Sequence, residues 1–416
     1  MKTFVDNLKN NPIFQLSLSS KELFHSNFLA WLAEDDNTRC VFNKLMQTWL
    51  DDKNWEYKPN EMEVKREYNH FDFCVCDKLS IDGNDVTGSV QVVLENKFKS
   101  IAYTAQLVDY KERTITLNEE GYKNKYKAEE ANKGKNLPKG WRKEVEHPNT
   151  KYILLTLADK FLDKDEILSL GWKIVTYAEY AKLLRTVVGE LKDNEIKGNK
   201  AFYVELIAQY CNFIEKFSEH INECLDNVKE DNYWDILKND DFSAVRCNDI
   251  WQKVVMHKYA QKLFKLTQEK FPNTKIVFDD KDSWDEESDR PLMIRVAYFR
   301  NEALVELKYL LNNGVVFCVQ QQGDNGLSIG MVVKEEETIK KAVRKQDKGK
   351  WNASIKKLVA QKKLDEIITG DTFNSFQSEG SCGYYYIHHS EKLNIKKTLE
   401  KMVKLMEDAI SASKLE

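Results

Sequence analysis

The sequence predicts an α/β fold: an N-terminal mixed sheet flanked by helices, followed by a second, α+β domain with an antiparallel sheet. One observation is the length of 416 residues, which is more than one hydrophobic core usually supports. Helical patterns alternate with short apolar runs in the N-terminal half, as in helices that pack on a mixed sheet. Successive strand patterns dominate the C-terminal half, so we expect one domain over residues 1–230 and another over 231–416.

The N-terminal elements follow from the spacing of apolar residues. Ser19 and Glu22 have the spacing of a capping box, and the run LFHSNFLAWLA after them has large apolar side chains at helical intervals. The further elements are expected as a helix at 41–50, strands at 61–68, 71–76 and 90–97, a helix at 101–113, a strand at KYILLTLA, a strand and helix at GWKIVTYAEYAKLL, and helices to about residue 228. The basic stretch at 114–148 has little apolar periodicity, and we expect a flexible or partly helical insertion there.

The C-terminal half begins near Asp231 with a helix expected at 250–271. Its strand patterns are KIVFDD, PLMIRVAYF, ALVELKYLL, GVVFCVQQQ, GLSIGMVV and GYYYIHH. A last amphipathic helix is expected from about Lys392. Short strands joined by turn residues favour antiparallel pairing.

The composition is that of a globular protein, with 42% hydrophobic and 31% charged residues. No run approaches the ~20 apolar residues of a membrane span, and the first residues lack the apolar core of a secretory signal. We therefore expect a cytoplasmic protein with no membrane partner. The eight cysteines form no CxxC pair, and Cys74 and Cys76 have the spacing of neighbours on one strand face. Buried free thiols are expected rather than a zinc site or disulfides.

Charge is distributed unevenly, although the formal net charge is only −4. Residues 340–363 hold 10 Lys or Arg and a single acid, while residues 279–289 hold 7 acids and one Lys. A basic block of this kind can bind phosphates through counterion release, although a solvated helix face has the same composition. The candidate nucleic-acid-binding residues are Lys341, Arg344, Lys345 and Trp351, whose ring could stack on a base.

Three chemically active side chains come together between residues 71 and 97. Asp72 lies on one predicted strand, and Glu95 and Lys97 stand two apart at the end of the next, so they share a face. Two carboxylates at one point repel each other and are retained mainly where a cation is shared. Oxygen ligands from Asp72, Glu95 and the Asn96 main-chain carbonyl suit Mg²⁺ or Mn²⁺. A lysine beside such a cation can orient or deprotonate the attacking water.

At these residues the sequence resembles the PD-(D/E)XK nuclease superfamily. The resemblance includes Gln106 and Tyr110, a Q-x-x-x-Y pair on the next helix, which lines the site or contacts DNA in some branches. It also includes the E-x-x-H-S pattern at Glu22, with which one bacterial branch opens and whose Glu faces the metal site. The resemblance covers about residues 1–184. Phe71 stands where the superfamily name has Pro, a position that varies widely.

The resemblance implies a metal-dependent deoxyribonuclease of bacterial restriction, defence or repair, which hydrolyses phosphodiester bonds by means of a metal-activated water. Asp72, Glu95 and Lys97 would be catalytic together with Gln106, Tyr110 and Glu22. One alternative is a module on the same fold that binds nucleic acid or protein without cleaving it. Hydrolysis of RNA or of a smaller phosphodiester, and a purely structural charge cluster, also remain open. The C-terminal domain is expected to recognise a target, a protein partner or a second copy of the chain.

Overall fold

The computed structural model describes residues 2–17, 22–81, 83–130, 149–160, 162–191, 199–278, 292–299, 301–310, 315–333, 374–377, 383–388 and 392–413. The chain divides into two compact units. The first comprises Met1–Cys224 with Ala244–Arg246, and the second comprises Leu225–Ser243 with Cys247–Glu416. No helix in these described stretches is long and apolar enough to cross a membrane.

A five-stranded mixed sheet forms the centre of the first unit. The helices in this part of the chain are α1 (Lys2–Lys9), α2 (Pro12–Ser17), α3 (Leu23–Glu34), α4 (Arg39–Leu50), α5 (Thr104–Glu130), α6 (Lys164–Ser169), α7 (Tyr177–Gly189) and α8 (Lys200–Asn227). The strands are β1 (Met62–Tyr68), β2 (Phe71–Ile81), β3 (Asn84–Lys97), β4 (Lys151–Thr156) and β5 (Trp172–Thr176). They lie in sequence order, antiparallel from β1 to β3 and parallel from β3 to β5, which confirms the predicted mixed sheet.

The β2–β3 hairpin is longer than the apolar pattern indicates. Both strands continue through polar residues to a turn at Gly83, whose φ of +78° favours glycine. Register shifts on either side of Cys76 interrupt the alternation on which the sequence prediction depended. The described cysteines form no disulfide, and the Sγ atoms of Cys74 and Cys76 lie 3.7 Å apart and buried, as the spacing predicts.

Helix α5 extends to Glu130 and therefore continues well into the stretch expected to be an insertion. Its sheet-facing side includes Thr114 and Asn118, which are buried but polar and so conceal the helical period. The Asn118 carboxamide accepts a hydrogen bond from the Val90 main-chain N–H at 2.6 Å and donates to the Thr150 hydroxyl at 3.0 Å. Polar partners on the sheet thus replace apolar packing. Residues 131–148 of the expected insertion lie outside the described stretches.

Aromatic side chains form much of the core behind the sheet. Phe98 follows β3, and its ring lies 4.2 Å from the ring of His25 and 5.0 Å from that of Tyr177, measured between centroids. The ring of Phe213 on α8 packs against the same cluster, and its centroid lies 5.9 Å from that of Phe98. These contacts fix the start of α3 and the start of α7 against the end of β3.

The second unit is built on a seven-stranded sheet. The strands are β6 (Ile276–Phe278), β7 (Leu292–Phe299), β8 (Glu302–Leu310), β9 (Val315–Gln322), β10 (Ser328–Val333), β11 (Asn374–Gln377) and β12 (Gly383–His388). The helical elements are a 3₁₀ helix (Trp234–Leu237), α9 (Asp240–Ala244), α10 (Asn248–Lys270) and α11 (Ile395–Ser413). The strand order is β11-β12-β10-β9-β8-β7-β6, and every pairing is antiparallel except the short parallel pair β6–β7. The predicted antiparallel α+β architecture is confirmed, with one parallel edge strand.

Candidate active site

Two adjacent strand ends bring the predicted catalytic residues together. Asp72 is the second residue of β2, and the pairing of Phe73 with Leu94 places it beside Glu95 of β3. Lys97 ends β3 on the same face, with its Nζ 2.7 Å from Glu95 Oε1. The structure therefore brings together the three residues that the sequence pattern singled out.

The side chains of Glu95 and Lys97 have little exposure to solvent. The Glu95 side chain is 2% exposed and the Lys97 side chain 11% exposed. Burial, assisted by the charge of Glu95, raises the pKa of Asp72 to about 8. Burial also raises the pKa of Glu95, although Lys97 and Tyr110 oppose the shift. Two carboxylates in this position resist carrying two negative charges at once.

Lys97 is a proton donor in this arrangement. Burial on its own would lower the pKa of Lys97, but the carboxylates of Glu95 and Asp72 outweigh it and raise the pKa above its usual value. The sequence pattern left open whether Lys97 orients or deprotonates the attacking water. The geometry favours orientation, because a lysine held between two carboxylates keeps its proton.

Three of the four carboxylate oxygens of Asp72 and Glu95 differ in their hydrogen bonds. Glu95 Oε1 receives hydrogen bonds from Lys97 and from the Tyr110 hydroxyl, the latter at 3.0 Å. Asp72 Oδ2 accepts a hydrogen bond from the Asn96 main-chain N–H at 2.7 Å. Glu95 Oε2 is buried and has no hydrogen-bond partner. An unsatisfied buried carboxylate oxygen is costly, and it is a natural ligand for a cation.

The donor set fits a hard divalent cation. Among the described residues no group of three or more His, Cys, Asp and Glu side chains is arranged to hold a metal ion. Asp72 and Glu95 would supply two carboxylates, and the Asn96 carbonyl and water would complete the coordination. Mg²⁺ suits such a site, because it is usually bound by one or two carboxylates and retains several waters.

The Q-x-x-x-Y pair of α5 reaches the same point. Gln106 Nε2 donates to the Tyr110 hydroxyl at 2.8 Å, and that hydroxyl donates to Glu95 Oε1. Burial and the Glu95 carboxylate raise the pKa of Tyr110, so it remains a donor. The two side chains line the site through a chain of hydrogen bonds that ends on Glu95.

Glu22 lies at the edge of the site, directly before α3. Its carboxylate accepts a hydrogen bond from the Lys99 main-chain N–H at 3.0 Å, and its carbonyl accepts one from Asn96 Nδ2 at 2.8 Å. The described part of α3 begins at Leu23, with Glu22 as its N-cap residue and without a side-chain capping hydrogen bond, so Glu22 does not stand in the first turn as the capping-box prediction had it. Ser19 lies outside the described residues.

His25 of the E-x-x-H-S pattern faces away from the carboxylates. It is fully buried, and its Nδ1 lies 2.9 Å from the Tyr210 hydroxyl. Burial, assisted by the charge of Lys99, lowers the pKa of His25 to about 3, so the ring is neutral. It anchors α3 to α8.

Two features of the site were not predicted from the sequence. The Asn96 side chain is buried and is bonded both to Glu22 and to the hydroxyl of Tyr177, the first residue of α7. The only signal for Asn96 was a polar residue inside an apolar strand, and Tyr177 had the pattern of an ordinary core aromatic. The basic candidates Lys341, Arg344, Lys345 and Trp351 lie outside the described residues, so their role stays a prediction.

The mixed sheet of the first unit thus carries an aspartate and an E-x-K pair on neighbouring strand ends. Residues 11–212 match the family model of the PD-(D/E)XK nuclease superfamily. The matched region includes every residue of the site described above. No curated protein and no solved structure matches the chain significantly.

Proposed function

We propose that this protein is a metal-dependent nuclease that hydrolyses phosphodiester bonds of DNA with Mg²⁺ or Mn²⁺ as cofactor. One observation carries the proposal: the carboxylates of Asp72 and Glu95 and the ammonium group of Lys97 converge on two strand ends, and the buried Glu95 Oε2 has no hydrogen-bond partner there. The superfamily match of residues 11–212 supports a nuclease fold around this site.

Asp72 and Glu95 bind the cation, together with the Asn96 carbonyl. Because Glu95 Oε1 is bonded to Lys97 and Tyr110, Oε2 is the oxygen left for coordination. On Asp72 the same reasoning selects Oδ1, because Oδ2 accepts from Asn96. When bound, the cation supplies an activated water and offsets the negative charge that develops on the phosphate.

Lys97 orients the attacking water and donates toward the phosphate. Its raised pKa keeps the ammonium group charged, and the bond to Glu95 Oε1 limits its freedom. A charged donor that is held in place away from solvent stabilises developing negative charge more strongly than one in water.

Gln106 and Tyr110 orient Glu95 and line the path of the nucleic acid. The hydroxyl of Tyr110 fixes which oxygen of Glu95 remains available, and Gln106 fixes that hydroxyl. Glu22 acts at the margin, where it holds the chain after Lys97 through its bond to the Lys99 N–H. Its charge also acts on Asp72, Glu95 and Lys97.

The proposal extends to partners and place of action. Nucleic acid, and DNA in particular, is the proposed substrate, with phosphate contacts from the basic block around Lys341. Residues 231–416 are proposed to recognise the target or a protein partner, including a second copy of the chain. The proposed setting is cytoplasmic bacterial restriction, defence or repair.

The test is cleavage of plasmid and single-stranded DNA, with an RNA of equal length in parallel, in Mg²⁺, Mn²⁺ or EDTA. Glu95→Gln and Lys97→Ala should abolish the cutting seen with wild type, as should EDTA. Glu63→Gln and Lys65→Ala are matched controls, because these residues form another E-x-K ion pair at 3.1 Å on β1. The controls should cut as wild type does.

Each result has a defined meaning. Cutting of RNA alone would replace the DNA assignment. Cutting that persists in Glu95→Gln would overturn the assignment of the site. A third result would be a wild-type protein that cuts nothing. If wild type, Glu95→Gln and Lys97→Ala then bound DNA equally well in the absence of a metal, the protein would be a binding module on a nuclease fold.

A further inference from the structure

The side chain of Asn96 lies between two residues of the E-x-K motif but points the other way. Successive residues of a strand face opposite sides of the sheet, so Glu95 and Lys97 face the site while Asn96 faces the helices behind it. Asn96 is 1% exposed. Both ends of its carboxamide are bonded to other elements of the first unit.

The Asn96 carboxamide connects three parts of the fold. Its Nδ2 donates to the Glu22 carbonyl at 2.8 Å, at the start of α3. Its Oδ1 accepts a hydrogen bond from the hydroxyl of Tyr177, at the start of α7. These two bonds connect the end of β3 to the starts of α3 and α7, beside the positions of Glu95 and Lys97.

The main chain of the same residue acts directly on a proposed metal ligand. The Asn96 N–H donates to Asp72 Oδ2 at 2.7 Å, and its carbonyl is the proposed third oxygen ligand. The N–H and the carbonyl belong to the two peptide units on either side of the Asn96 Cα, so a shift of this residue would move the donor to Asp72 and the carbonyl together. The two hydrogen bonds of the side chain hold the residue in place without contacting a substrate.

We propose that Asn96 and Tyr177 form a positioning pair: the Tyr177 hydroxyl orients the Asn96 carboxamide, which fixes the metal-binding end of β3 against α3. This inference rests on the proposed function of the site. It predicts that a single oxygen atom on α7 contributes to metal affinity, although it lies on the far side of the strand.

The chemistry of the pair suits an amide at position 96. The carboxamide offers, on separate atoms, a donor for the Glu22 carbonyl and an acceptor for the Tyr177 hydroxyl. Aspartate has the same shape but lacks the donor, and it would add a third negative charge close to Asp72 and Glu95. Alanine would remove the acceptor of the buried Tyr177 hydroxyl, while the Glu22 carbonyl would keep its bond from the His25 main-chain N–H.

A neighbouring tyrosine on the same helix provides the contrast. Tyr180 is as fully buried as Tyr177, and the two rings lie 6.5 Å apart. Its hydroxyl makes no bond to Asn96. Tyr180→Phe therefore removes the same atom from the same helix and leaves the positioning pair intact.

The experiment is a calorimetric titration of the full chain with Mn²⁺, with kcat and KM measured in parallel. Tyr177→Phe and Asn96→Ala should weaken Mn²⁺ binding by about 10–100-fold, the usual effect of losing a group that orients a metal ligand. Their kcat should fall while KM for DNA stays close to the wild-type value. Tyr180→Phe should bind Mn²⁺ as wild type does.

Loss of stability is separated from loss of positioning by Leu184→Ala. Leu184 is fully buried on α7 and makes no bond to the site, so this variant is destabilised without affecting Asn96. Below its unfolding midpoint it should bind Mn²⁺ normally. Tyr177→Phe removes one atom and stays folded, so the test does not depend on Asn96→Ala folding.

The outcomes distinguish the positioning pair from the proposed function on which it rests. Wild-type uptake of Mn²⁺ that is lost in Glu95→Gln and weakened in Tyr177→Phe supports both. Unchanged affinity in Tyr177→Phe and Asn96→Ala, with uptake lost in Glu95→Gln, overturns the positioning pair alone. A wild type that takes up no Mn²⁺ overturns the proposed function and the positioning pair with it.

Discussion

The Tyr110 hydroxyl donates a hydrogen bond to Glu95 Oε1 at 3.0 Å, and the same oxygen lies 2.7 Å from Lys97 Nζ. A helix and a strand thus meet on a single carboxylate oxygen. Both donors stabilise the charged form of Glu95 against the effect of burial, which raises its pKa. They also leave the other oxygen facing the site without a protein partner.

Tyr110→Phe should lower the rate of DNA cleavage by about 10–100-fold, because Glu95 loses a donor that orients it. Gln106→Ala should cost less, since Gln106 contacts Tyr110 and not Glu95. Single-turnover cleavage of the two variants and of the double variant measures this. If Gln106 acts through Tyr110, the double variant will be no slower than Tyr110→Phe. Additive losses would contradict the hydrogen-bond chain.

Mn²⁺ should raise the unfolding temperature of wild type and not that of Asp72→Asn. Ligand binding to the folded state adds about 2.7 kcal/mol of stability at a concentration of 100 Kd. In EDTA at pH 8, where no metal is bound, Asp72→Asn should be more stable than wild type. The raised pKa of Asp72 follows from its burial and, after that, from the charge of Glu95, so its ionised form is unfavourable, and asparagine removes that charge. Equal Mn²⁺ responses in the two proteins would exclude Asp72 as a ligand.

The E-x-K spacing alone does not identify the site. Glu63 and Lys65 have it on β1, with 3.1 Å between Oε1 and Nζ. Glu306 and Lys308 have it on β8, at 2.8 Å between Oε2 and Nζ and more fully buried than the pair on β1. The additional sequence information was the upstream aspartate and the downstream Q-x-x-x-Y pair. In the structure Asp72 lies beside Glu95, and the Tyr110 hydroxyl donates to Glu95 Oε1.

The parts of the fold that the sequence missed share a physical cause. Hydrophobic periodicity detects apolar faces, whereas α5 contacts the sheet through Thr114 and Asn118, which are buried polar residues with specific partners. The tie between Asn96 and Tyr177 is of the same kind, since it joins residues 81 positions apart. Glu22 had a valid local interpretation as a capping residue, and only the tertiary structure shows its bond to Lys99.

Acid should destabilise the protein through His25 in a defined window. The pKa of His25 is about 3 in the folded protein, because of burial, against an ordinary value of 6.5. Below pH 6.5 the unfolded chain binds a proton that the folded protein does not, so stability is lost as the pH falls toward 3. The loss approaches about 1.4 kcal/mol per pH unit.

Urea unfolding between pH 7 and pH 4 of wild type and His25→Asn tests this dependence. The variant is less stable at pH 7, because the contact with Tyr210 changes, but its stability should fall less steeply with acid. His70→Asn, at an exposed position whose φ of +70° asparagine tolerates, is the control substitution. Parallel curves for wild type and His25→Asn would show that His25 is protonated in the folded protein.

Gly121→Ala should destabilise the first unit because α5 crosses β3 at backbone contact there. A Cβ on Gly121 would lie 2.5 Å from the carbonyl carbon and oxygen of Gly88. Alanine favours a helix over glycine by about 1 kcal/mol, whereas forcing an extra carbon into a packed contact costs about 1–3 kcal/mol. The clash should win, because the opposing atoms are main chain and cannot turn aside.

Gly189→Ala at the end of α7 is the matched substitution, since a Cβ there has no atom within 4 Å. It should be neutral or slightly stabilising. Urea denaturation monitored by tryptophan fluorescence measures both variants against wild type. A Gly121→Ala protein as stable as Gly189→Ala would mean that α5 can move away from β3. Since Gln106 and Tyr110 are on the same helix, such a movement would also loosen their hold on Glu95 and slow cleavage.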